Sequence, residues 1–271
     1  MIFVAFREPG SYGGVAPLVG HNAHGITLHL SLNSFKFAFS NSFIWQLGLR
    51  SVIFSIITTF FCLLIGYPLA TMIANSSKKV RDKLLLLVII PFWSCFLIRV
   101  YAWMVILGPD SAVSYLLNKI LAVFGIGPVD LLYSSFAVVL CLVYINLPFM
   151  VLPLYANLEK HDYTLIEASQ DLGATKWQSF WRITVPLSLP GVLAGSALVF
   201  IPSIGMFVVP ELVGNNCSLM IGNLIKQQFL QTMNWSLGSV TSVFMTLLVL
   251  VIVVIVSLIA RKSGGLRYAS K

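Results

Sequence analysis

Charged residues are scarce in this sequence. Asp, Glu, Lys and Arg make up 10% of its 271 residues, whereas 58% are hydrophobic. Soluble globular domains carry about 25% charged residues, so this composition cannot cover a water-facing surface of this size. The sequence also lacks the layout of basic, aromatic and glycine residues typical of a nucleic-acid-binding module. The composition therefore predicts an all-α integral membrane protein with no nucleic-acid partner.

Residues that hold metals or nucleotides are also few. The four cysteines have no paired spacing, and we expect them to be buried hydrophobes rather than disulfides or metal ligands: Cys62, Cys95, Cys141 and Cys217. The histidine-containing stretch HNAHGITLH (21–29) is expected to be a solvated loop rather than a metal site. No G-x-x-x-x-G-K-[ST] motif is present. We therefore predict no catalytic residue, metal or cofactor in this chain.

Five apolar runs are long enough to cross the hydrocarbon core, which takes about 20 helical residues. They are continuous rather than alternating, which indicates helices and not barrel strands. The five predicted spans are 51–74, 84–107, 135–158, 189–214 and 239–260. Prolines interrupt four of them, and neighbouring helices in a bundle can satisfy the backbone groups that proline frees. So many interruptions favour a transporter that moves over a simple anchor.

The distribution of Lys and Arg predicts the orientation, because cytoplasmic loops are enriched in them. The segments 75–83, 159–188 and 261–271 hold eleven Lys and Arg residues, whereas 1–50, 108–134 and 215–238 hold five. The first set is therefore predicted to be cytoplasmic, together with the C-terminus. The net charge of +8 is therefore largely an orientation signal and not the sign of a charged partner.

The same orientation places the N-terminus outside, although no signal sequence precedes it. We expect residues 1–6 to be the stub of a sixth, first helix. A natural short start, a misassigned start codon and a truncation of the chain all fit this expectation.

The cytoplasmic segment 159–188 has the pattern of two short helices. Thr164 and Glu167 have the S/T-x-x-E spacing of a capping box. Glu167 and Asp171 then share a helix face, and Gly173 is placed to end that helix in the left-handed conformation.

Thr175 is placed to cap the second helix. Three aromatic residues with spacing i, i+3, i+4 would form its apolar edge: Trp177, Phe180 and Trp181. We expect Pro186 and Pro190 to stop this helix before the next span. On pattern alone, the segment fits either an amphipathic loop on the lipid headgroups or a docking element for a soluble partner.

The segment resembles the EAA loop of binding-protein-dependent ABC importer permeases, whose pattern is E-A-A, three residues, G, nine residues, I-x-L-P. Glu167-Ala168-Ser169, Gly173 and Ile183-Thr184-Val185-Pro186 match that spacing, with Ser169 and Val185 as conservative departures. The resemblance implies a loop that inserts into a cleft on a separate ATP-binding subunit. It assigns the coupling role to Glu167, Ala168, Asp171, Leu172, Gly173, Ile183 and Pro186.

Other stretches resemble the permease subunits of spermidine/putrescine importers, and among these the first of the two permeases. They are PFWSCFLIRVYAW (91–103), YINLPFMVLPLYANLEK (144–160) and MIGNLIKQQFL (220–230). The resemblance implies a six-helix permease core in the bacterial inner membrane. It also implies three kinds of partner: two copies of an ATP-binding subunit that consumes the ATP, a second permease, and a periplasmic or lipoprotein solute-binding protein.

A few side chains within or beside the predicted spans are candidates for the substrate path. Glu211 either attracts a di- or tri-cation or is a helix-end charge in water. Arg99 either lines the path or extends to the interface. The rings of Trp93, Tyr101 and Tyr144 either stack on alkylammonium groups or pack as interfacial aromatics.

Three other functions remain open from the sequence. The first is an importer permease for another small cationic or organic solute. The second is a secondary transporter, which would normally carry intramembrane carboxylates for ion coupling. The third is a membrane-embedded enzyme or assembly factor, which would need intramembrane catalytic residues.

Overall fold

The computed structural model describes residues 1–8, 10, 13–16, 19–22, 25–28, 31–123, 127, 130–161, 164–215 and 218–265. These residues are almost wholly helical and fall into two compact units. One unit is Met1–Phe54 with Ile204–Lys271, and the other is Ser55–Ser203. The assignment of 1–271 to a single transmembrane domain stays a prediction.

Ten helices are described wholly or partly in the unit Ser55–Ser203. In chain order these are α3 (Ser42–Ala74, which begins in the other unit), α4 (Lys78–Ile89), a 3₁₀ turn (Ile90–Trp93), α5 (Phe96–Leu107), α6 (Ala112–Val123), α7 (Ser135–Leu158), α8 (Thr164–Asp171), α9 (Lys176–Ser179), a π-helical turn (Phe180–Thr184) and α10 (Val185–Ile204). Ser134 caps α7, because its side-chain oxygen accepts a hydrogen bond from the Ala137 amide at 3.1 Å.

The other unit contains a short antiparallel hairpin beside its helices. Its elements are α1 (Ile2–Ala5), β1 (Val19–Asn22), β2 (Gly25–Leu28), α2 (Asn33–Ser40), α11 (Val208–Val213), α12 (Ile221–Leu230) and α13 (Trp235–Gly265). The hairpin pairs Val19 with Leu28 and Asn22 with Gly25, within the region expected to be a loop. His24 and His29 lie outside the described residues.

Four described helices are long and apolar enough to cross a membrane: Ser42–Ala74, Ser135–Leu158, Lys176–Ile204 and Trp235–Ile255. A fifth candidate is the pair Lys78–Trp93 and Phe96–Leu107, whose two parts meet at 92°. The predicted class, an all-α integral membrane protein, is confirmed, and the four or five candidate spans are compatible with the five predicted. Exposed apolar side chains on these helices fit a lipid environment, and Phe60, Leu64 and Leu247 are all more than half exposed.

Two predicted spans are not single straight helices. The run 84–107 is bent, because Pro91 has no amide hydrogen and its ring crowds the preceding turn; the chain passes through the 3₁₀ turn and becomes extended at Ser94 (ψ 146°) before α5 begins. The run 189–214 is interrupted after Ile204, and α11 starts only at Val208. In contrast, 135–158 coincides with α7, and α3 begins nine residues before the predicted position 51.

Helices α7 and α10 approach closely at two glycines spaced by three residues, in the sequence Gly191-Val-Leu-Ala-Gly195. A Cβ on Gly191 would lie 2.7 Å from the Asn157 Cβ, and one on Gly195 would lie 3.1 Å from the Met150 carbonyl oxygen. Small residues at this spacing let membrane helices pack with their backbones close together. This contact positions α10 on a buried cluster that includes Met150, Leu154 and Val199.

The cysteine prediction is confirmed for Cys62 and Cys141, which are buried and carry free thiols. It is wrong for Cys95, which is exposed. Cys95 is extended and precedes α5 at the bend, so its side chain lies at a helix end and not on a packed face. Cys217 lies outside the described residues.

Candidate functional site

The segment predicted to be cytoplasmic forms a helical hairpin (Thr164–Thr184), which we call the coupling hairpin after its predicted role. Helix α8 ends where Gly173 adopts φ +87°, the left-handed conformation that side chains disfavour. The Gly173 amide donates to the Gln170 carbonyl at 2.9 Å, and the Ala174 amide donates to the Ser169 carbonyl at 3.0 Å. The predicted role of Gly173 in ending the first helix is confirmed.

The second helix begins with the predicted cap. The Thr175 hydroxyl oxygen accepts from the Gln178 amide at 3.3 Å, and the Gln178 side-chain oxygen accepts from the Thr175 amide at 3.0 Å. This reciprocal capping box satisfies two amides that the first helical turn leaves free. The capping box proposed for Thr164 and Glu167 stays a prediction, because the two residues before Thr164 lie outside the described residues.

A pair of serine hydroxyls joins the two arms of the hairpin. The Ser169 and Ser179 side-chain oxygens lie 2.7 Å apart, and Ser179 is buried. Ser169 is the residue that departs from the E-A-A pattern, and that departure was visible in the sequence. Its partner Ser179 was missed, because nothing in a linear pattern brings residues ten positions apart across a turn into contact.

The second arm continues into the membrane span without a stop, so the prediction that Pro186 and Pro190 end it is wrong. After α9 the chain forms the π-helical turn Phe180–Thr184 and then runs directly into α10. The wider turn accommodates Pro186, which has no amide hydrogen to donate and whose ring would clash with the backbone of a regular α-turn. The hairpin and the span therefore form one continuous helical rod from Lys176 to Ile204.

The base of the hairpin is fixed to α3 through one tyrosine. The Tyr67 hydroxyl lies 3.0 Å from the Ser188 hydroxyl, and its ring meets the Phe180 ring edge-to-face with centroids 5.7 Å apart. Phe180 also contacts Trp177 and Trp181, so the predicted aromatic edge is present. None of the sequence patterns singled out Tyr67.

The seven residues predicted to couple to the ATPase fall into two groups. Five lie on the exposed first arm and tip: Glu167, Ala168, Asp171, Leu172 and Gly173. Leu172 is 90% exposed although it is apolar. The other two, Ile183 and Pro186, are partly buried at the junction with the span. The first group is open to solvent, the second lies within the continuous helix from Lys176 to Ile204, and their coupling role stays a prediction.

Replacing Gly173 by valine should lower ATP-driven uptake several-fold while the chain still inserts into the membrane. A Cβ at Gly173 would meet no atom within 4 Å, so the expected cost comes from the left-handed backbone alone, about 1–2 kcal/mol for a side-chain-bearing residue. Transport normalised to the amount of protein in the membrane measures it. Gly173→Asn is the matched control, since asparagine tolerates this conformation; equal activity of the valine and asparagine variants would contradict the assigned backbone role.

The predicted substrate-path carboxylate lies in the other unit. Glu211 does not end a span as expected but occupies the first turn of α11, after the break that follows Ile204. Its carboxylate contacts the Lys226 ammonium of α12 at 2.5 Å. Both side chains line a cavity of about 240 Å³. The prediction missed Lys226, because α11 and α12 are brought together only by the fold.

The other path candidates are separated along the bent span and α7. Arg99 lies in the first turn of α5, and its guanidinium carbon is 4.9 Å from the Phe92 ring centroid. Tyr144 packs against Trp103 with ring centroids 5.5 Å apart. Trp93 is 80% exposed and Tyr101 52% exposed. The structure does not gather these aromatic residues into one cluster.

Within the described part of the chain, no three His, Cys, Asp or Glu side chains lie close enough together to hold a metal ion.

Solved ABC transporters contain chains with a similar fold. A bacterial alginate ABC transporter, solved in complex with an alginate pentasaccharide-bound periplasmic protein, matches with a TM-score of 0.62 at 21% identity, over 86% of this chain and 83% of that chain. The MetNI methionine ABC transporter in inward-facing conformations matches with a TM-score of 0.60 at 20% identity, over 82% and 97%. The chain therefore shares the fold of these ABC transporter chains, which is that of a multi-pass membrane protein.

Sequence comparison then identifies the family. The family described as "Binding-protein-dependent transport system inner membrane component" matches residues 66–263, and this chain belongs to it. The spermidine/putrescine transport system permease protein PotB of Haemophilus influenzae is 45% identical over 206 residues, which is 75% of this chain and 71% of that protein. PotB of Escherichia coli K12 is 43% identical over 207 residues, 76% and 74%. The inner membrane ABC transporter permease YdcU of the same strain is 32% identical over 213 residues, 75% and 67%.

Proposed function

We propose that this chain is a permease subunit of a polyamine importer and forms part of the path for putrescine and spermidine. The similarity to spermidine/putrescine permeases over three quarters of the chain supports the substrate class. The observation that carries the transport role is the coupling hairpin, which exposes an apolar tip and continues into a membrane span. A continuous helix of this kind can carry a displacement of the hairpin from the water phase into the membrane.

The coupling hairpin docks into a cleft on a separate ATP-binding subunit. Leu172 is its apolar anchor, and the carboxylates of Glu167 and Asp171 frame it on the exposed arm. Closure of the ATP-binding subunits moves the tip, and the rod from Lys176 to Ile204 carries that motion to α10. The Tyr67 contacts pass it on to α3. Alternating exposure of the path follows from this displacement.

The proposed assembly contains two copies of the ATP-binding subunit, a second permease and a solute-binding protein on the outer side. ATP is bound and hydrolysed by the ATP-binding subunits, and this chain binds no cofactor and is not itself an enzyme. The C-terminus lies in the cytoplasm with the coupling hairpin, as the distribution of Lys and Arg favours. The inner membrane is the proposed location.

On the outer side, Glu211 is the proposed contact for a substrate ammonium group. A carboxylate beside a cavity attracts a di- or tri-cation and forms a charge-assisted hydrogen bond with it. The exposed rings of Trp93 and Tyr101, and the ring of Tyr144, which is 36% exposed, are proposed as cation–π contacts along the path. Each such contact contributes roughly 0.5–2 kcal/mol.

Replacing Glu211 by glutamine should lower polyamine uptake about tenfold, because the neutral amide keeps the shape but loses the charge that attracts the substrate. The test measures uptake of radiolabelled putrescine by cells that lack their own polyamine uptake and express the complete importer. Asp110→Asn is the matched control, since it removes another exposed carboxylate. Uptake by the Glu211 variant at the level of the control would contradict the proposed contact.

A permease for another small cationic or organic solute is the second candidate function. The same cells distinguish the two, because a polyamine importer accumulates putrescine or spermidine and is competed by the unlabelled polyamine. Cells that express the complete importer and accumulate neither compound would contradict the proposed substrate class and favour this alternative.

A further inference from the structure

The ion pair between Glu211 and Lys226 lies beside a cavity and an aromatic ring. The pair joins α11 to α12 at the edge of the 240 Å³ cavity, and its side chains remain 41% and 28% exposed, respectively. The Lys226 ammonium also lies 5.9 Å from the centre of the Phe207 ring. One cation therefore contacts both a carboxylate and an aromatic ring beside an open space.

Asn223 helps to fix the geometry of this arrangement. Its side-chain amide donates to the Phe207 carbonyl at 2.9 Å, and its side-chain oxygen accepts from the Met220 amide at 3.1 Å. These bonds tie the start of α12 to the residue that precedes α11. The Glu211 carboxylate and the Phe207 ring lie on these connected segments. The Lys226 ammonium, in contrast, is at the end of a flexible four-carbon chain.

A carboxylate and an aromatic face are the two groups that recognise alkylammonium ions in proteins. The Lys226 side chain ends in a primary ammonium on a chain of four methylene groups, and putrescine presents the same group at both of its ends. The protein has thus placed, on its own framework, a group that is chemically equivalent to the end of the proposed substrate.

We propose that Glu211 and Phe207 form a primary-alkylammonium subsite that Lys226 occupies until a substrate ammonium displaces it. The inference rests on the proposed polyamine function. Displacement exchanges one ammonium for another on the carboxylate, so no covalent bond, proton or electron is transferred. The released Lys226 side chain turns into the cavity, which Asn223 and Gln227 also line.

Lys226 therefore acts as a resident competitor that weakens substrate binding. Partly exposed ion pairs are weak, about 0–1 kcal/mol, and a substrate ammonium replaces the pair at little cost. A path must bind its cargo weakly enough to release it, and the returning lysine favours that release. Removing Lys226 should tighten binding about three- to fivefold.

The test is equilibrium binding of radiolabelled putrescine to the purified importer complex in detergent, without the solute-binding protein. Lys226→Ala should lower the dissociation constant about three- to fivefold, and Lys226→Arg, which keeps a cation there, should leave it near the wild-type value. The Glu211→Gln variant and the double variant that combines Glu211→Gln with Lys226→Ala should both bind putrescine much more weakly than wild type. n-Butylammonium should compete with putrescine more strongly in the Lys226→Ala complex, because it fills the place that the missing side chain leaves.

The outcomes separate this inference from the function on which it rests. If the Lys226→Ala complex binds putrescine as weakly as wild type, or more weakly, while Glu211→Gln loses binding, the pair is only structural and the inference is overturned. Equal binding by wild type and Glu211→Gln overturns both the Glu211 contact and the displacement. A wild-type importer that transports no polyamine in cells overturns the proposed function itself.

Discussion

Replacing Leu172 by aspartate is expected to lower ATP-driven uptake about 10- to 100-fold, while the chain remains in the membrane. Leu172 is 90% exposed at the tip of the coupling hairpin, directly before the Gly173 turn. An apolar side chain of this size contributes about 1.5–3 kcal/mol when it is buried in an interface, and a charged replacement adds a desolvation cost. Uptake normalised to membrane protein level measures the effect.

Gln170→Asp is the matched control for this variant. Gln170 is exposed on α8, two residues before Leu172, and its replacement introduces the same charge without removing an apolar anchor. Uptake should stay within about twofold of wild type if the effect of the Leu172 variant comes from the lost contact. If the two aspartate variants lose uptake equally, the added charge on the hairpin is responsible, and Leu172 is not the anchor.

Replacing Gly191 by leucine is expected to disrupt the packing of α10 on α7 and to destabilise the protein. A Cβ at Gly191 would lie 2.7 Å from the Asn157 Cβ and 3.2 Å from the Pro153 carbonyl oxygen, so the helices must separate to admit any side chain. Overpacking of a close contact costs about 1–3 kcal/mol. We expect a lower membrane yield and a melting temperature several degrees lower for the purified importer complex.

Ala194→Leu tests whether added bulk on α10 is harmful in itself. Ala194 is three residues further along the same helix and is exposed, so a leucine there enlarges the lipid-facing side only. Its melting temperature should match that of wild type. A normal melting temperature for Gly191→Leu would contradict the close helix contact.

The length and continuity of the apolar runs predicted the apolar helices well, because crossing a bilayer requires about 20 consecutive apolar residues. The span 135–158 matches α7 residue for residue. The errors came from prolines, whose effect depends on their surroundings: Pro91 accompanies a bend of 92°, whereas Pro186 and Pro190 are accommodated within one continuous helix. The sequence alone does not specify whether neighbouring helices or a widened helical turn will accommodate a given proline.

The coupling hairpin was predictable because its signals are local. Gly173 and the Thr175 cap act within a few residues of themselves, and both features are present. The tertiary partners were not predictable, because each joins residues distant in the chain. Tyr67 reaches Ser188, and Lys226 reaches Glu211 across 15 positions. The sequence therefore identified charged residues such as Glu211, but it did not reveal the groups that neutralise or position them.

The central claim is that the coupling hairpin is the docking element for a separate ATP-binding subunit. The most direct test is to purify this chain from its native membrane in mild detergent, with and without Leu172→Asp, and to identify the bound proteins by mass spectrometry. The account predicts that wild type retains an ATP-binding subunit and a second permease, and that the variant keeps the permease but loses the ATP-binding subunit. Equal retention of the ATP-binding subunit by both forms, or its absence from wild type, would contradict the account.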